Sequence, residues 1–169
     1  MTLIKCTKND LHKLQRISRE TFKDTFSEYI SEQDIKDYFA TALRKEKLLS
    51  EIEDKHSSFY FACHDEEMVG YMKVNETPAQ TEINDAESLE LQRIYLLKHR
   101  QGKGEGAYLL NHAINIARDK AKKYLWLGVW ENNHRAIKFY KKYGFYAFSE
   151  HFFIAGSDKS HDILMRLDL

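Results

Sequence analysis

The chain has 169 residues, 43% of them hydrophobic and 13% aromatic, which is enough to build one folded domain over residues 1–169. Its 26 basic and 26 acidic residues cancel, and this balance argues against nucleic acid or an anionic membrane as a partner. Two cysteines are too few for a disulfide framework, and the sequence shows no apolar leader or membrane span. We therefore expect a cytoplasmic domain.

The first half of the chain predicts a strand, two helices and a hairpin. The strand LIKC precedes a helix over KNDLHKLQRISRETFKDTF, in which Leu14, Ile17 and Phe22 recur near helical spacing. A second helix is predicted over SEQDIKDYFATALRKEKLLSEIE, opened by Ser31. The aromatic and β-branched runs SFYFACHD and MVGYMKVNE flank an acidic turn, which indicates a hairpin.

The second half alternates strands and helices. ESLELQRIYLL predicts a strand, and GAYLLNHAINIARDKAKK predicts a helix with a continuous apolar stripe. The stripe comprises Leu110, Ala113, Ile114, Ala117 and Ala121. YLWLGVWE predicts a strand, NHRAIKFYKKYG a helix that ends at Gly144, and FYAFSEHFFIAG and DILMRLDL two final strands. This order predicts the α/β (α+β) class, with a mixed sheet and helices on its faces.

The stretch QGKGEGAYLL, residues 101–110, places three glycines just before a predicted helix. The free N–H groups and the dipole of a helix N-terminus make such a loop an anion site. A P-loop does not fit, because Lys103 is followed by glycine rather than by serine or threonine. A dinucleotide fold does not fit, because the third glycine comes one position early. The coenzyme A pyrophosphate pattern Gln/Arg-x-x-Gly-x-Gly/Ala does fit, at Gln101, Gly104 and Gly106.

This motif and the element order over the whole chain resemble the GCN5-related N-acetyltransferase (GNAT) superfamily. Within it, ETFKDTF, GYMKVN, ELQRIYL and WLGVWENNHRAIKFYKKYGF are similar to the PaiA-type spermidine/spermine N-acetyltransferases. The resemblance implies the GNAT fold, a mostly antiparallel sheet of about seven strands with helices on both faces. It also implies acetyl-CoA as co-substrate and direct attack by a primary amine in a ternary complex. No pair of the eight histidines has zinc-ligand spacing, so no metal is expected.

The resemblance also implies where the cofactor binds. The strand before the glycine loop should splay from its parallel neighbour and free backbone amides for the pantetheine and the thioester. The helix NHRAIKFYKKYG should place Asn133 against the pantetheine arm and the Tyr140 hydroxyl near the sulfur, on the face that both share with Ala136. The cofactor-binding residues predicted in this way are Ile94, Tyr95, Leu96, Gln101, Gly102, Lys103, Gly104, Glu105, Gly106, Asn133 and Tyr140.

Two side chains are predicted to be catalytic. The Tyr140 hydroxyl would donate to the departing thiolate, although the residue would also suit an aromatic core beside Phe139. Glu90, four residues before Ile94, would serve as the base that takes the proton of the amine, directly or through water. A solvated strand glutamate is the alternative interpretation of Glu90. Cys63 lies in an apolar strand and is predicted to be a buried structural thiol.

The acceptor amine is expected against the two early helices, whose mixture of acidic and aromatic residues suits a flexible polycation. Phe26, Tyr29 and Trp130 are the predicted substrate-binding residues, although ordinary amphipathic helices would show the same mixture. The predicted function is polyamine N-acetylation. The alternatives are another amine (a protein N-terminus, an amino acid or an antibiotic) or a coenzyme-A-binding regulator with little turnover, and a homodimer is left open.

Overall fold

A computed structural model describes residues 1–155 and 158–169, so Gly156, the last residue of a predicted strand, lies outside it. The described residues form a sheet of seven strands with five helices. The strands are β1 (Thr2–Lys5), β2 (Ser57–His64), β3 (Glu67–Asn75), β4 (Ser88–Leu96), β5 (Tyr124–Trp130), β6 (Tyr146–Ala155) and β7 (Asp158–Asp168). The helices are α1 (Leu11–Phe26), α2 (Glu32–Thr41), α3 (Lys45–Glu53), α4 (Glu105–Asp119) and α5 (His134–Lys142).

The strands follow the spatial order β1-β2-β3-β4-β5-β7-β6, and all neighbours are antiparallel except β4 and β5. Two apolar clusters cover the two faces of this sheet. Helices α4 and α5 pack on one face, against residues such as Leu89, Leu91 and Leu125. Helices α1, α2 and α3 pack on the other, against residues such as Phe59 and Tyr71. The predicted class, a mixed sheet with helices on both faces, is confirmed.

The prediction of two early helices is wrong, because the second predicted helix is divided into α2 and α3. Ser31 caps α2 as expected, with its hydroxyl accepting a hydrogen bond from the Asp34 N–H (3.1 Å). The chain leaves the helical path at residues 42–44, where Leu43 is buried. The Leu43 carbonyl accepts a hydrogen bond from the side chain of Gln15 on α1 (2.9 Å) instead of a helical N–H. The interruption therefore comes from packing on α1 and not from a local helix breaker.

The helix after the glycine loop is shorter than predicted. Leu110, Ala113 and Ala117 of the apolar stripe are buried in α4 as expected. Ala121 lies beyond the end of α4, is exposed, and has a positive φ of 52°, so its place in the stripe is a wrong prediction. Gly144 follows α5 with a φ of 88°, which confirms the predicted glycine at the helix end.

Strands β4 and β5 separate partway along their length. Their parallel pairing covers only Ser88–Glu90 against Tyr124–Trp126, although β4 continues to Leu96 and β5 to Trp130. On its other side, β4 stays paired with β3, where a Cβ on Gly70 would lie only 2.3 Å from the Tyr95 carbonyl oxygen. Only glycine allows that close approach. The sheet is therefore splayed, as the resemblance implies, and β4 has an unpaired edge facing β5.

Candidate active site

The diverging ends of β4 and β5 open into a cleft of about 950 Å³. It is lined by the loop before α4, by the first turn of α5 and by the end of α1. The predicted site residues that line it are Phe26, Tyr29, Ile94, Tyr95, Leu96, Gln101, Gly102, Gly104, Gly106, Trp130, Asn133 and Tyr140. The sequence thus brings residues more than a hundred positions apart to a single cavity.

The loop before α4 presents a run of unpaired backbone amides. The N–H groups of residues 102–106 donate no backbone hydrogen bond within the described chain, whereas Ala107 already bonds the Gly104 carbonyl (3.1 Å). Gly102 and Gly104 both have positive φ, 81° and 86°, which a side chain would strain. A Cβ on Gly104 would meet nothing within 4 Å, so the space above this loop is open. Consecutive free amides at a helix N-terminus are suited to a phosphate group.

An arginine completes this end of the cleft. Arg135, in the first turn of α5, donates to the Gln101 side-chain carbonyl (2.9 Å) and approaches the position of a Gly102 Cβ to 3.9 Å. The Gln101 amide in turn donates to the Leu96 carbonyl (3.1 Å). A guanidinium held beside free amides suits a diphosphate. These residues fit the pyrophosphate of coenzyme A, and the Gln101 side chain fixes the position of the Arg135 guanidinium.

Tyr140 and Asn133 lie on the α5 side of the cleft. Tyr140 is buried, its hydroxyl makes no hydrogen bond within the described residues, and burial alone raises its pKa well above the ordinary value. Its ring packs against Phe139 and Phe145. Tyr140 is therefore part of the aromatic core and also lines the cleft. The Asn133 side chain caps α5 by accepting a hydrogen bond from the Ala136 N–H (3.1 Å). Tyr140 thus presents an uncommitted proton donor at the cleft.

Glu90 lies at the last position of β4 that is paired with β5, and it is only 2% exposed. Its carboxylate accepts hydrogen bonds from the Thr81 N–H (3.1 Å), from the Thr81 hydroxyl and from the Asn75 amide (2.8 Å). Burial raises the pKa of Glu90, and these bonds together with the charge of Lys73 partly oppose the increase. The carboxylate is therefore held in place and more basic than an exposed one.

Glu90 itself does not line the cleft. Leu89 and Leu91, its neighbours in sequence, belong to the cluster on the opposite face of the sheet, as strand alternation requires. The Asn75 amide that binds Glu90 also donates to the Gln92 side-chain oxygen (2.9 Å), and Gln92 does line the cleft. Glu90 is thus separated from the cavity by a short polar connection, and its role as the base stays a prediction.

Three aromatic rings meet where the end of α1 lines the cleft. The Trp130 ring lies 6.2 Å from that of Phe26 and 5.4 Å from that of Tyr29, measured between centroids. Phe26 also meets the Tyr95 ring edge-on at 6.5 Å. We call Phe26, Tyr29 and Trp130 the aromatic wall. Such a wall suits aliphatic chains and cationic groups.

Two carboxylates accompany the aromatic wall on the last turn of α1 and just beyond it. Asp24 accepts a hydrogen bond from the Lys98 N–H (3.1 Å), and Glu28 lies 3.4 Å from the Lys98 ammonium. Both line the cleft. The acidic residues of α2 are instead exposed and lie off the cleft, which is the ordinary wet face of an amphipathic helix. Only the α1 end of the predicted acidic region thus belongs to the site.

Two predicted cofactor residues lie off the cleft. The Lys103 side chain is exposed, and the Glu105 carboxylate is buried between Arg100 and His64, with its Oε1 3.2 Å from the His64 Nδ1. Each still has a free backbone amide in the loop, so a contact by these two residues would be through the main chain.

Sequence reasoning missed Arg135, Gln92 and Lys98, all of which line the cleft. Arg135 had a readable signal, because a cation in the first turn of a helix opposes the dipole unless an anion is nearby. Gln92 had none. It lies at an irregularity in the β3–β4 register, which is not visible in the sequence.

Comparisons with known proteins agree with this geometry. The sequence profile of the Acetyltransferase (GNAT) family matches residues 11–145. An uncharacterized N-acetyltransferase of Lactobacillus delbrueckii subsp. lactis is 40% identical over 97% of this chain and 95% of its own. A spermidine N(1)-acetyltransferase of Thermoplasma acidophilum is 31% identical over 80% of this chain and 82% of its own. The crystal structure of the PaiA N-acetyltransferase of Thermoplasma acidophilum in complex with coenzyme A superimposes with a TM-score of 0.79, at 27% identity and full coverage of both chains.

A splayed α/β sheet with a free-amide loop before a helix defines a coenzyme-A-dependent acyltransferase site. The chain belongs to the GNAT family and is an acetyl-CoA-dependent N-acetyltransferase. No helix in the described part of the chain is long and apolar enough to cross a membrane. The residues described also contain no group of three or more His, Cys, Asp or Glu side chains placed to hold a metal ion. The cytoplasmic location and the oligomeric state stay predictions.

Proposed function

We propose that the chain acetylates a polyamine such as spermidine or spermine, by direct attack of a primary amine in a ternary complex. The observation that carries this proposal is the aromatic wall, which lines the same cleft as Asp24, Glu28 and the glycine loop. The similarity to the Thermoplasma spermidine N(1)-acetyltransferase supports the same substrate class.

The glycine loop and Arg135 would hold the anionic end of acetyl-CoA through the amides of residues 102–106 and the guanidinium. The unpaired edge of β4 offers N–H groups between Ile94 and Leu96 for the pantetheine and the thioester oxygen. When bound, acetyl-CoA supplies the carbonyl carbon that the amine attacks. Donors fixed before the reaction stabilise the developing oxyanion without reorganisation.

Two proton transfers accompany the reaction. As the N–C bond forms, the amine loses a proton, and as the C–S bond breaks, the sulfur gains one. Glu90 would accept the first proton through water, because its carboxylate lies just behind the cleft surface formed by Gln92. Tyr140 would donate the second, because its hydroxyl faces the cleft uncommitted and its raised pKa keeps it protonated.

The acceptor end suits a chain that is both aliphatic and cationic. The aromatic wall would cover the methylenes and attract ammonium groups, and Asp24 and Glu28 would bind charges further along the molecule. Phe26, Tyr29 and Trp130 are therefore the substrate-binding residues of this proposal.

The test is thiol release from acetyl-CoA in the presence of spermidine, spermine, simple diamines, monoamines, amino acids or short peptides. We expect the largest kcat/KM with spermidine or spermine. Release with amino acids or peptides only would retain the family and the cofactor but reject the polyamine substrate. Tight acetyl-CoA binding without release by any amine would instead support a coenzyme-A-binding regulator.

A further inference from the structure

A carboxylate that the proposed mechanism does not use lies beside the acceptor end of the cleft. Asp162 of β7 is in register with Trp130 of β5, so both side chains project from the same face of the sheet. The next inward position on that face of β5 is Gly128, which is exposed and lines the cleft. A Cβ on Gly128 would lie 3.6 Å from the Asp162 Oδ2. The missing side chain at Gly128 thus leaves the carboxylate next to the cavity.

The described side chains around Asp162 leave its carboxylate without a partner. It makes no hydrogen bond or ion pair with the described residues, and the two histidines near it are paired elsewhere. His151 Nδ1 lies 2.9 Å from Glu82, and His161 Nδ1 lies 3.0 Å from Glu131. Burial raises the pKa of Asp162, and the charge of Glu82 adds to this effect.

Asp162 is partly buried, and a carboxylate that has lost part of its water without gaining a protein partner is stabilised by a ligand that supplies one. The ligand chemistry is set by what surrounds the carboxylate. Trp130, directly opposite in the β5–β7 register, is part of the aromatic wall and offers a surface for methylene groups. A carboxylate next to an aromatic surface matches an ammonium group at the end of an aliphatic chain.

We propose that Asp162 binds a charged nitrogen of the acceptor other than the one that is acetylated, and so selects diamines and polyamines over monoamines. This role rests on the proposed function and names the residue that would set its specificity. The attacking nitrogen must be uncharged, whereas a carboxylate gains most from a nitrogen that keeps its charge. One molecule with two separated amino groups satisfies both requirements.

The test compares 1,4-diaminobutane with n-butylamine, which have equal carbon chains, in wild type and in Asp162→Asn. We expect the variant to lose roughly 10- to 100-fold in kcat/KM for the diamine, through KM, as for the loss of a hydrogen bond to a charged group. The monoamine value should change less than about 2-fold, since it lacks the second charge. Acetyl-CoA affinity, measured by calorimetry, should be unchanged and shows that the variant is folded.

The matched control is Glu82→Gln, which removes one negative charge from the same neighbourhood but from a side chain paired with His151. It should leave the ratio of diamine to monoamine close to that of wild type. Gly128→Ala should lower the ratio as Asp162→Asn does, because its methyl group would occupy the gap beside the carboxylate. Equal losses for both amines in Asp162→Asn, or no preference for the diamine in wild type, would overturn the assignment.

A binding measurement separates this role from the enzymatic proposal. Spermidine is titrated into the protein saturated with coenzyme A, and its affinity is compared between wild type and Asp162→Asn. Binding that depends on Asp162 in a protein without turnover would support the recognition role and reject only the proposed reaction. Equal spermidine affinity of the two proteins would reject the role of Asp162, whatever the turnover.

Discussion

At the scale of single residues, a variant of Tyr140 can distinguish a chemical role of its hydroxyl from a packing role of its ring. Tyr140→Phe keeps the ring contacts with Phe139 and Phe145 but removes the hydroxyl that faces the cleft. We expect kcat to fall by ~100-fold or more, the usual contribution of general acid catalysis, with acetyl-CoA affinity within ~2-fold of wild type. Steady-state kinetics and calorimetry measure the two quantities. Parallel losses of turnover and affinity would show that the hydroxyl acts in packing.

The proposed role of Glu90 as the base predicts how activity depends on pH. A base must be ionised, so activity should fall as the pH falls through the pKa of Glu90, which burial raises above the value of ~4.3 for an exposed glutamate. Glu90→Gln should lower kcat/KM and remove this acidic limb from the pH profile. Thr81→Val is the matched variant, because it removes the hydroxyl that donates to Glu90 while leaving the carboxylate ionisable.

The hydrogen bond from the Thr81 hydroxyl stabilises the ionised form of Glu90, so its loss in Thr81→Val should raise the pKa of Glu90. The acidic limb should therefore move to higher pH. An acidic limb that is the same in wild type, Glu90→Gln and Thr81→Val would exclude Glu90 as the base. Its buried hydrogen bonds would then have a structural role only.

At the scale of elements, the loop before α4 depends on backbone shape. Gly104 and Gly144 have nearly the same conformation, with φ of 86° and 88°, but only Gly104 lines the cleft. Asparagine tolerates this region better than other residues with a Cβ, so either Asn variant should fold. We expect Gly104→Asn to weaken acetyl-CoA binding by at least ~10-fold, since its side chain would enter the space over the free amides. Calorimetry should show Gly144→Asn near wild type, and equal affinities for both variants would contradict an anion site at this loop.

Helix α3 is attached to the sheet by a buried ion triad. The Glu51 Oε2 lies 3.1 Å from the Lys73 ammonium and 3.2 Å from the Arg93 guanidinium, and all three side chains are less than 10% exposed. Glu51→Gln removes the carboxylate that contacts both buried cations and should lower the free energy of unfolding by ~3–5 kcal/mol. Lys73→Met leaves the Glu51–Arg93 pair in place, so it should lower the free energy of unfolding by less than Glu51→Gln does. Urea denaturation measures both changes.

Lys73 should also make stability depend on pH. Burial lowers its pKa from 10.5 to about 8, so between those values the unfolded chain binds more protons than the folded one. The contribution of this group to the free energy of unfolding therefore rises with pH from about 8 to about 10. Lys73→Met should remove that part of the rise, and identical pH dependence in the two proteins would show that Lys73 is not desolvated.

Local patterns could be predicted from the sequence, and contacts between distant elements could not. The glycine loop, the Ser31 cap and the end of α5 at Gly144 depend on neighbouring residues and were readable. The division between α2 and α3 was not, because its cause is a hydrogen bond from Gln15 on α1. Asp162 was missed for the same reason, since its position beside Gly128 depends on pairing between β5 and β7.

At the scale of the whole molecule, the cleft divides the sheet. Strands β1–β4 and strands β5–β7 are joined in the sheet by the short parallel segment Ser88–Glu90 with Tyr124–Trp126. Past this segment, residues of both parts line one cavity, with Leu96 and Gly104 on one side and Asn133 and Tyr140 on the other. A ligand in the cleft would therefore contact both parts of the sheet at the level where β4 and β5 are no longer hydrogen-bonded to each other.

A ligand that binds only the folded chain stabilises it, so the cofactor should raise the stability of this domain. At 100 times its dissociation constant, acetyl-CoA should raise the free energy of unfolding by about 2.7 kcal/mol. For a chain of this length, that corresponds to an increase in Tm of roughly 5–10 °C in a thermal melt. Asp162→Asn should keep the full shift, because it lies at the acceptor end, whereas Gly104→Asn should lose about half of it or more at the same concentration. A ligand-induced shift of equal size in Gly104→Asn would place acetyl-CoA elsewhere on the molecule.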